Sequence, residues 1–587
     1  MNIAEFLNTN TEKYPRKSAI GFKKKEKWTE INWTAFRRLV FKTANALRSA
    51  GVAAGDRVAI YSDNSAEWIV FDLATLSLGA VTVPIYSTNN LDQASYILNE
   101  AECKIILVGN QDQYDAAASI LHSEQILKKI VAAKKSIWIK KEHSQYLEDF
   151  IKDAEETFDI VPVADDDLAT LIYTSGTTGV PKGVMLTHGN FRKSVEAHFD
   201  FFKFKNFEDE TSLAFLPLTH VFERSWSLLA LSGGAKVYFL ENTKLIASAL
   251  TEIRPTMMCA VPRFYQKIFA GVNEMAANSS SVKKKIFNWA LKIGTEAAEL
   301  RRLNAPIPTT LQLKNTVADF LVFNKIKEKM GGRLWFMPCG GASITGDVTQ
   351  FFEALGIHIT VGYGLTETTA TLTAFPFHHF VHGSAGIPFG DTQIKIGENQ
   401  EILAKGSGIM KGYYKKPAET AEVFTDDGWF RTGDTGRLDE HGNLFITDRI
   451  KDLMKTSNGK YVTPQPIENQ LSNNNFISQA MIVAEGRPYV TALIIPNFEA
   501  LEPQLAKLNV KFTTWAEVVK LEKVKDFYRE KIEELQQNIA GFEKVKKFVL
   551  MGAEFEINSG EITPTLKVKR NVVLKKYSDA VESMYNG

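Results

Sequence analysis

The sequence predicts an α/β protein in which a large N-terminal domain of α/β subdomains with parallel sheets is followed by a smaller α+β domain. Three observations carry this. Short apolar runs alternate with helix-like segments between Arg57 and Val108, the alternation returns between Ser212 and Val261, and the texture of the chain changes after Asp448.

In the first stretch the runs Val58–Tyr61, Val81–Tyr86 and Lys104–Val108 are separated by helix-like Ala66–Leu78 and Asp92–Glu100. Strand and helix in turn at this spacing build a parallel sheet with crossover helices. Ser212–Leu216, Ala235–Leu240 and Thr256–Val261 repeat the pattern, so the sheet is expected to continue past residue 260. Ser279–Met330 is Lys-rich and helical, interrupted by Pro306 and Pro308, and reads as a helical excursion on the surface of the same domain. The large domain is expected to span 1–449 and the small one 450–587, with strands at Gln479–Val483 and Val490–Ile495, a charged helix pair near Trp515–Asn538 and a basic tail.

Composition narrows the function. The 69 Lys and Arg against 68 Asp and Glu argue against a dedicated polyanion binder, since neither a nucleic-acid protein nor a polybasic membrane anchor usually leaves its total so neutral, although a local basic patch stays open. Cys103, Cys259 and Cys339 form no CxxC pair, which argues against a disulfide framework or a cysteine zinc site and fits a reducing compartment. The N-terminus lacks a basic segment followed by an apolar one, so the expected location is the cytoplasm. No run of about 18 apolar residues is present to span a bilayer, which leaves peripheral contact at the inner face of a membrane as the only kind expected.

The strongest local signal is Tyr173-Thr-Ser-Gly-Thr-Thr-Gly-Val-Pro-Lys-Gly-Val, set between strand-like Leu168–Ile172 and Val184–Leu186. Thr174, Ser175, Thr177 and Thr178 with Gly176 and Gly179 make a loop whose N–H and hydroxyl groups can wrap phosphate oxygens, and Lys182 supplies a cation at its end. The P-loop NTPase signature is absent, because Lys182 lies between Pro181 and Gly183 and no helix opens directly behind it. A Gly/Ser/Thr-rich surface turn has the same composition.

This segment resembles the phosphate loop of the adenylate-forming superfamily: acyl-CoA synthetases, nonribosomal adenylation domains and firefly luciferase. Further motifs of that family follow in order: Leu216-Pro-Leu-Thr-His-Val-Phe-Glu-Arg, Cys339-Gly-Gly-Ala, Val361-Gly-Tyr-Gly-Leu-Thr-Glu-Thr, Trp429-Phe-Arg-Thr-Gly-Asp, Asp448-Arg-Ile-Lys-Asp and Thr563-Pro-Thr-Leu-Lys-Val-Lys-Arg. The resemblance implies a reaction in which a carboxylate attacks the α-phosphate of ATP, giving acyl-adenylate and pyrophosphate, and a thiol then takes the acyl group. Gly340, Gly341, Ala342 and Gly362 are implied to border the adenine, with Tyr363 stacked on it. Gly364, Thr366 and Arg449 join the nucleotide site, and Asp434 accepts from the ribose hydroxyls, as a carboxylate can from a vicinal diol. Glu367 and Thr174 share a Mg²⁺ held mainly by the triphosphate. Lys182 is implied to meet the β- and γ-phosphates, His220 to line the carboxylate and pyrophosphate site, and Lys567 to bridge carboxylate and α-phosphate. The small domain is implied to rotate about a hinge at Lys451 between the two steps, removing Lys567 and turning Ser457–Lys460 toward the site.

His220-Val-Phe-Glu-Arg, Val261-Pro-Arg-Phe-Tyr and Leu566-Lys567, where Gly-Lys is usual in the family, look like the long-chain fatty acid–CoA ligases, as does the Ser279–Met330 excursion. The implied substrates are therefore ATP, a fatty acid and CoA. An acyl-AMP ligase that loads a carrier protein and a ligase for an aryl or medium-chain acid remain as alternatives. The sequence does not fix the oligomeric state.

Overall fold

The computed structural model describes the chain except for residues 1, 25, 124–126, 176–179, 450–452, 509, 511–513, 538, 557–558, 563–567 and 587, and the side chains of residues 122, 123, 175 and 507. The expected alternation is present: strands Arg57–Tyr61, Val81–Ile85 and Cys103–Val108 are joined by helices Ala66–Ser77 and Leu91–Glu100. These strands pair in parallel, and the last continues into Lys129–Ala132 and Ser144–Tyr146. On the other side Val81–Ile85 pairs with Leu168–Ser175, which forms an antiparallel hairpin with Pro181–Thr187; Gly412–Tyr413 closes the edge of this eight-stranded sheet. Their runs of Val, Ile and Ala are buried on both faces, as a helix-covered parallel sheet requires.

The expectation that this sheet continues past residue 260 is corrected by the structure. Thr211–Ala214 and Lys236–Phe239 belong to a second sheet, where they run parallel to each other and to Ser18–Lys24. Thr256–Val261 makes single parallel bridges from Ser212 to Met257 and on to Phe336, and from Ala260 to Cys339, linking this sheet to the parallel pair Phe336–Cys339 and His358–Tyr363. Periodicity identifies strands but not their distant partners, and Ile20 of Ser18–Lys24 pairs with Val237, 217 positions further along the chain.

A third, antiparallel sheet of Gln393–Ile396, Glu401–Lys405, Phe430–Leu438 and Leu444–Arg449 completes the large part of the molecule. The excursion consists of helices Ser281–Arg302 and Thr309–Ala318, a π-turn at Asp319–Phe323 and helix Asn324–Lys329. Many aromatic residues are ordinary core: the rings of Phe199, Phe202, Phe204 and Phe207 pack with Phe336 and Phe377.

The C-terminal part has its own sheet, with Ile477–Val483 antiparallel and Lys547–Leu550 parallel to central Thr491–Pro496. Its apolar clusters hold only side chains from Met454 onward. Among the described residues no hydrophobic cluster contains side chains from both parts. The two parts meet through polar groups: Arg263 donates to Ser478 Oγ at 3.0 Å, Gln266 to Asn473 at 3.0 Å and Asn473 to Thr345 at 3.2 Å, with further hydrogen bonds from Asn469 to Ser343 and Asn475 to Glu274.

Candidate active site

The hairpin Leu168–Ser175/Pro181–Thr187 sets Thr174 opposite Lys182 at the mouth of the Gly/Thr loop. Gly176, Thr177, Thr178, Gly179 and the side chain of Ser175 lie outside the described residues. Lys182 Nζ stands 5.0 Å from the centre of the Tyr413 ring, so the cation is held over an aromatic face. Gly412–Tyr413 pairs with Met185 and Val184, which fixes that ring beside the hairpin. The Tyr413 hydroxyl donates to Glu367 Oε1 at 3.0 Å, and Met410 N–H donates to the Glu367 carbonyl at 2.8 Å. Burial pushes the Glu367 carboxyl up from its ordinary value; the Tyr413 hydrogen bond and the Arg449 charge oppose the shift.

Glu367 lies in the short turn Thr366–Thr368 that follows strand His358–Tyr363. The same strand presents Tyr363, whose hydroxyl donates to Asp434 Oδ2 at 2.6 Å, while Arg449 Nε lies 3.0 Å from Asp434 Oδ1. Asp434 and Arg449 are cross-strand partners in the antiparallel sheet, so their pairing follows from register. Both oxygens of this buried carboxylate are thus engaged. The Tyr363 ring is only 8% exposed and packs with Leu372, Ile402 and Leu444, so adenine can stack on it only if the ring or its cover shifts.

Gly340 lies beside Gly362: a Cβ on Gly340 would be in ordinary contact with the Gly362 carbonyl at 3.6 Å and with Phe222 at 3.5 Å. Gly341 has φ +87° and, like Ala342, is exposed. Gly364 has a different requirement, since a Cβ there would lie 2.0 Å from the Ala370 carbonyl, which makes the position one of backbone packing.

His220 caps helix Val221–Ser232, its Nδ1 accepting from Phe222 N–H at 3.2 Å. Burial pushes the imidazole down to about 4, so it is neutral at pH 7 and Nε2 carries the proton. The preceding loop is tied on both sides: Asn64 donates to Leu216 O at 2.7 Å and accepts from Leu218 N–H at 2.8 Å, and Glu223 accepts from Leu216 N–H at 3.0 Å. Glu223 is fully buried, and desolvation lifts its carboxyl to about 8.

Two groups of residues were not singled out by sequence reasoning. Tyr413 joins Lys182 to Glu367, and the one sequence signal for it is an aromatic pair beside a glycine in Lys411-Gly-Tyr-Tyr. Asp72 and Arg224, both fully buried, form a two-pronged ion pair at 2.9 and 2.6 Å, and Arg224 also donates to Thr170 Oγ1 at 2.7 Å. Arg224 thus fastens the His220 helix to helix Ala66–Ser77 through Asp72 and to the strand that enters the phosphate hairpin through Thr170, and no sequence pattern marks two residues 152 positions apart.

Lys567 and Lys451 lie outside the described residues. Ser457–Tyr461 is exposed, with Ser457 N–H on the Arg487 carbonyl and Asn458 on the Pro488 carbonyl, both within the C-terminal part. Part of the basic tail is structural, because Arg570 pairs with Glu468 at 2.6 Å.

Residues 7–414 match the model of the AMP-binding enzyme family, and residues 451–587 match that of the AMP-binding enzyme C-terminal domain. The chain is 33% identical over 562 residues to the long-chain-fatty-acid–CoA ligase FadD15 of Mycobacterium bovis, covering 95% of this chain and 93% of that protein. It is 30% identical to the Bos taurus long-chain-fatty-acid–CoA ligase ACSBG1, covering 99% and 85%. Among solved structures, the adenylation domain of a carboxylate reductase from Mycobacterium chelonae superposes with a TM-score of 0.77 at 20% identity, over 100% of this chain and 91% of that one. ATP-bound MatB from Rhodopseudomonas palustris gives 0.71 at 23% identity, over 99% of each chain. The two-domain α/β architecture is that of these structures, and the chain belongs to the AMP-binding enzyme family.

Proposed function

We propose that the protein is an ATP-dependent long-chain fatty acid–CoA ligase. The supporting observation is the convergence of Lys182–Tyr413–Glu367 and Tyr363–Asp434–Arg449 beside one phosphate hairpin, in a chain that aligns over 95% of its length with a relative named for that activity. In the first step a carboxylate oxygen bonds to the α-phosphorus of ATP and the bond to the β-phosphate oxygen breaks, leaving acyl-adenylate and pyrophosphate. Two anions must meet, so the protein's task is positioning and neutralisation. Lys182 and Thr174 meet the β- and γ-phosphates, with Ser175, Gly176, Thr177, Thr178 and Gly179 wrapping them. Neutral His220 donates from Nε2 toward the carboxylate and pyrophosphate side. Gly340, Gly341, Ala342 and Gly362 border the adenine, Thr366 lies on its turn, and ribose hydroxyls replace the Tyr363 or Arg449 contact on Asp434.

Glu367 offers one carboxylate, and among the described residues no group of three or more His, Cys, Asp or Glu could hold an ion alone. That donor set fits Mg²⁺ brought in by the triphosphate, with Glu367 and Thr174 as its protein contacts; the ion supplies charge neutralisation.

In the second step the CoA sulfur bonds to the acyl carbon and AMP leaves. Lys567 serves the first step only, and rotation of the small domain about Lys451 exchanges it for Ser457–Lys460. A junction made of polar contacts, most of them part-buried, with no shared apolar cluster supports this, since a boundary without an apolar core costs less to open than a core interface. The proposed location is cytoplasmic; no helix among the described residues is long and apolar enough to cross a membrane.

The test offers purified protein ATP, Mg²⁺, CoA and pooled acids from acetate to long-chain and aromatic ones, with mass spectrometry of nucleotides and acyl products. AMP with long-chain acyl-CoA is expected. Acyl-adenylate with no acyl-CoA would point instead to a carrier-protein acceptor, and AMP formed only with aryl or short acids would overturn the substrate class.

A further inference from the structure

We infer that the face formed by helices Ser281–Arg302 and Thr309–Ala318 with the adjoining π-turn is a docking surface for an anionic lipid bilayer. Nine of the nineteen exposed large apolar side chains among the described residues fall within residues 275–321. Both helices already have a covered side: Phe287, Ala290, Ile293 and Ala297 of the first, and Leu311 and Ala318 of the second, are buried in one cluster with Val348, Phe351 and Phe352. The exposed apolar residues form a further stripe on each helix. On the first they are Val282, Ile286 and Trp289, at i, i+4 and i+7, with Val282 67% exposed; on the second Leu313, at 68%, and Val317 continue into the π-turn. That turn, Asp319–Phe323, adds a residue to the helical repeat and so redirects its own side chains: Phe323 is buried, whereas Phe320 is 74% exposed and Leu321 42%. The two helices are joined by only six residues, 303–308, pack against each other and cover the same buried cluster, so the stripes lie on neighbouring helices of one layer.

Charge selects the partner. Residues 281–329 carry ten Lys and Arg against four Asp and Glu in a chain whose totals are otherwise balanced. Two of the four acids, Glu299 and Asp319, are already paired with Arg302 and Lys327. Lys283, Lys284, Lys285, Lys292 and Lys314 are exposed around the stripes. Apolar side chains rimmed by lysines suit a helix pair lying in the headgroup layer, its rings among the acyl chains and its ammonium groups on lipid phosphates. A second copy of the same face would oppose like charge with like, and a nucleic acid would leave the apolar stripe uncovered. No residue of the candidate active site takes part.

The test uses the full chain with sedimented vesicles of equimolar phosphatidylglycerol and phosphatidylcholine, and of phosphatidylcholine alone. The wild type is expected to partition to the anionic vesicles and to be released by salt. Two variants, Leu313→Ser with Phe320→Ser and Lys283→Gln with Lys284→Gln and Lys285→Gln, are each expected to lose about tenfold or more in partitioning. Because all five side chains are exposed, the variants should keep the wild-type melting temperature and adenylate formation from acid presented on albumin. Absence of wild-type binding to anionic vesicles, unchanged binding by both variants, or a fall from dimer to monomer in the apolar variant would overturn the proposal. Partitioning is read without turnover, so failure to activate any acid would sink the ligase assignment and leave this surface standing.

Discussion

The two sides of the proposed catalytic cycle are built differently. In the large domain, the elements that carry Lys182, His220, Glu367 and Asp434 are locked by sheet register and by a buried ion pair: Asp72–Arg224–Thr170 ties the His220 helix to the phosphate-hairpin strand, and Tyr413 spans Lys182 and Glu367. The small domain, which carries Lys567, touches that assembly through asparagine, serine and arginine side chains without a shared core. Groups that must stay fixed while negative charge is redistributed gain from rigidity. A lysine proposed to serve one step and leave before the next gains from a weakly attached carrier.

Four variants break or sharpen this contrast. The largest effect is expected from Asp72→Ala, which strands a buried guanidinium and should cost about 3–5 kcal/mol of stability, read from the denaturant midpoint of the large-domain transition. A loss comparable with that of a surface substitution would mean the pair is not what fastens the two halves of the site. Next comes Glu367→Gln, which keeps the shape but removes the charge; adenylate formation should fall about 10²-fold with the melting temperature nearly unchanged. Tyr413→Phe keeps the ring under Lys182 and deletes the hydroxyl on Glu367, for about a tenfold loss in the same assay. Smallest should be Gln266→Ala with Asn473→Ala at the domain junction, changing stability by less than about 1 kcal/mol. A much larger loss there would show the junction to be a rigid interface and remove the contrast.

How much of this the sequence revealed depends on the range of the interaction. The hairpin was legible because a glycine- and threonine-rich loop between two apolar runs is a local pattern, and the first three parallel strands were legible because their helices separate them at regular intervals. The family motifs singled out Glu367, Asp434 and His220 as candidates. Their couplings are non-local: Tyr363 reaches Asp434 across 71 residues and Tyr413 reaches Glu367 across 46. Splitting of the later strands into a second sheet was hidden for the same reason, since periodicity is blind to pairing. The family pattern assigns Gly364 to the nucleotide site, and the approach of Ala370 that also requires glycine there has no local sequence signal. The lysine-rich excursion was legible as helix, but the π-turn that exposes Phe320 has no counterpart in the apolar spacing.

The division of labour between the domains is tested most directly by Lys567→Ala assayed in two separate half-reactions. Acyl-adenylate formation from ATP and fatty acid should be lost, while transfer of the acyl group from supplied acyl-adenylate to CoA should continue near the wild-type rate. Equal loss in both half-reactions, or unimpaired adenylate formation, would contradict the assignment of Lys567 to the first step and the domain exchange built on it.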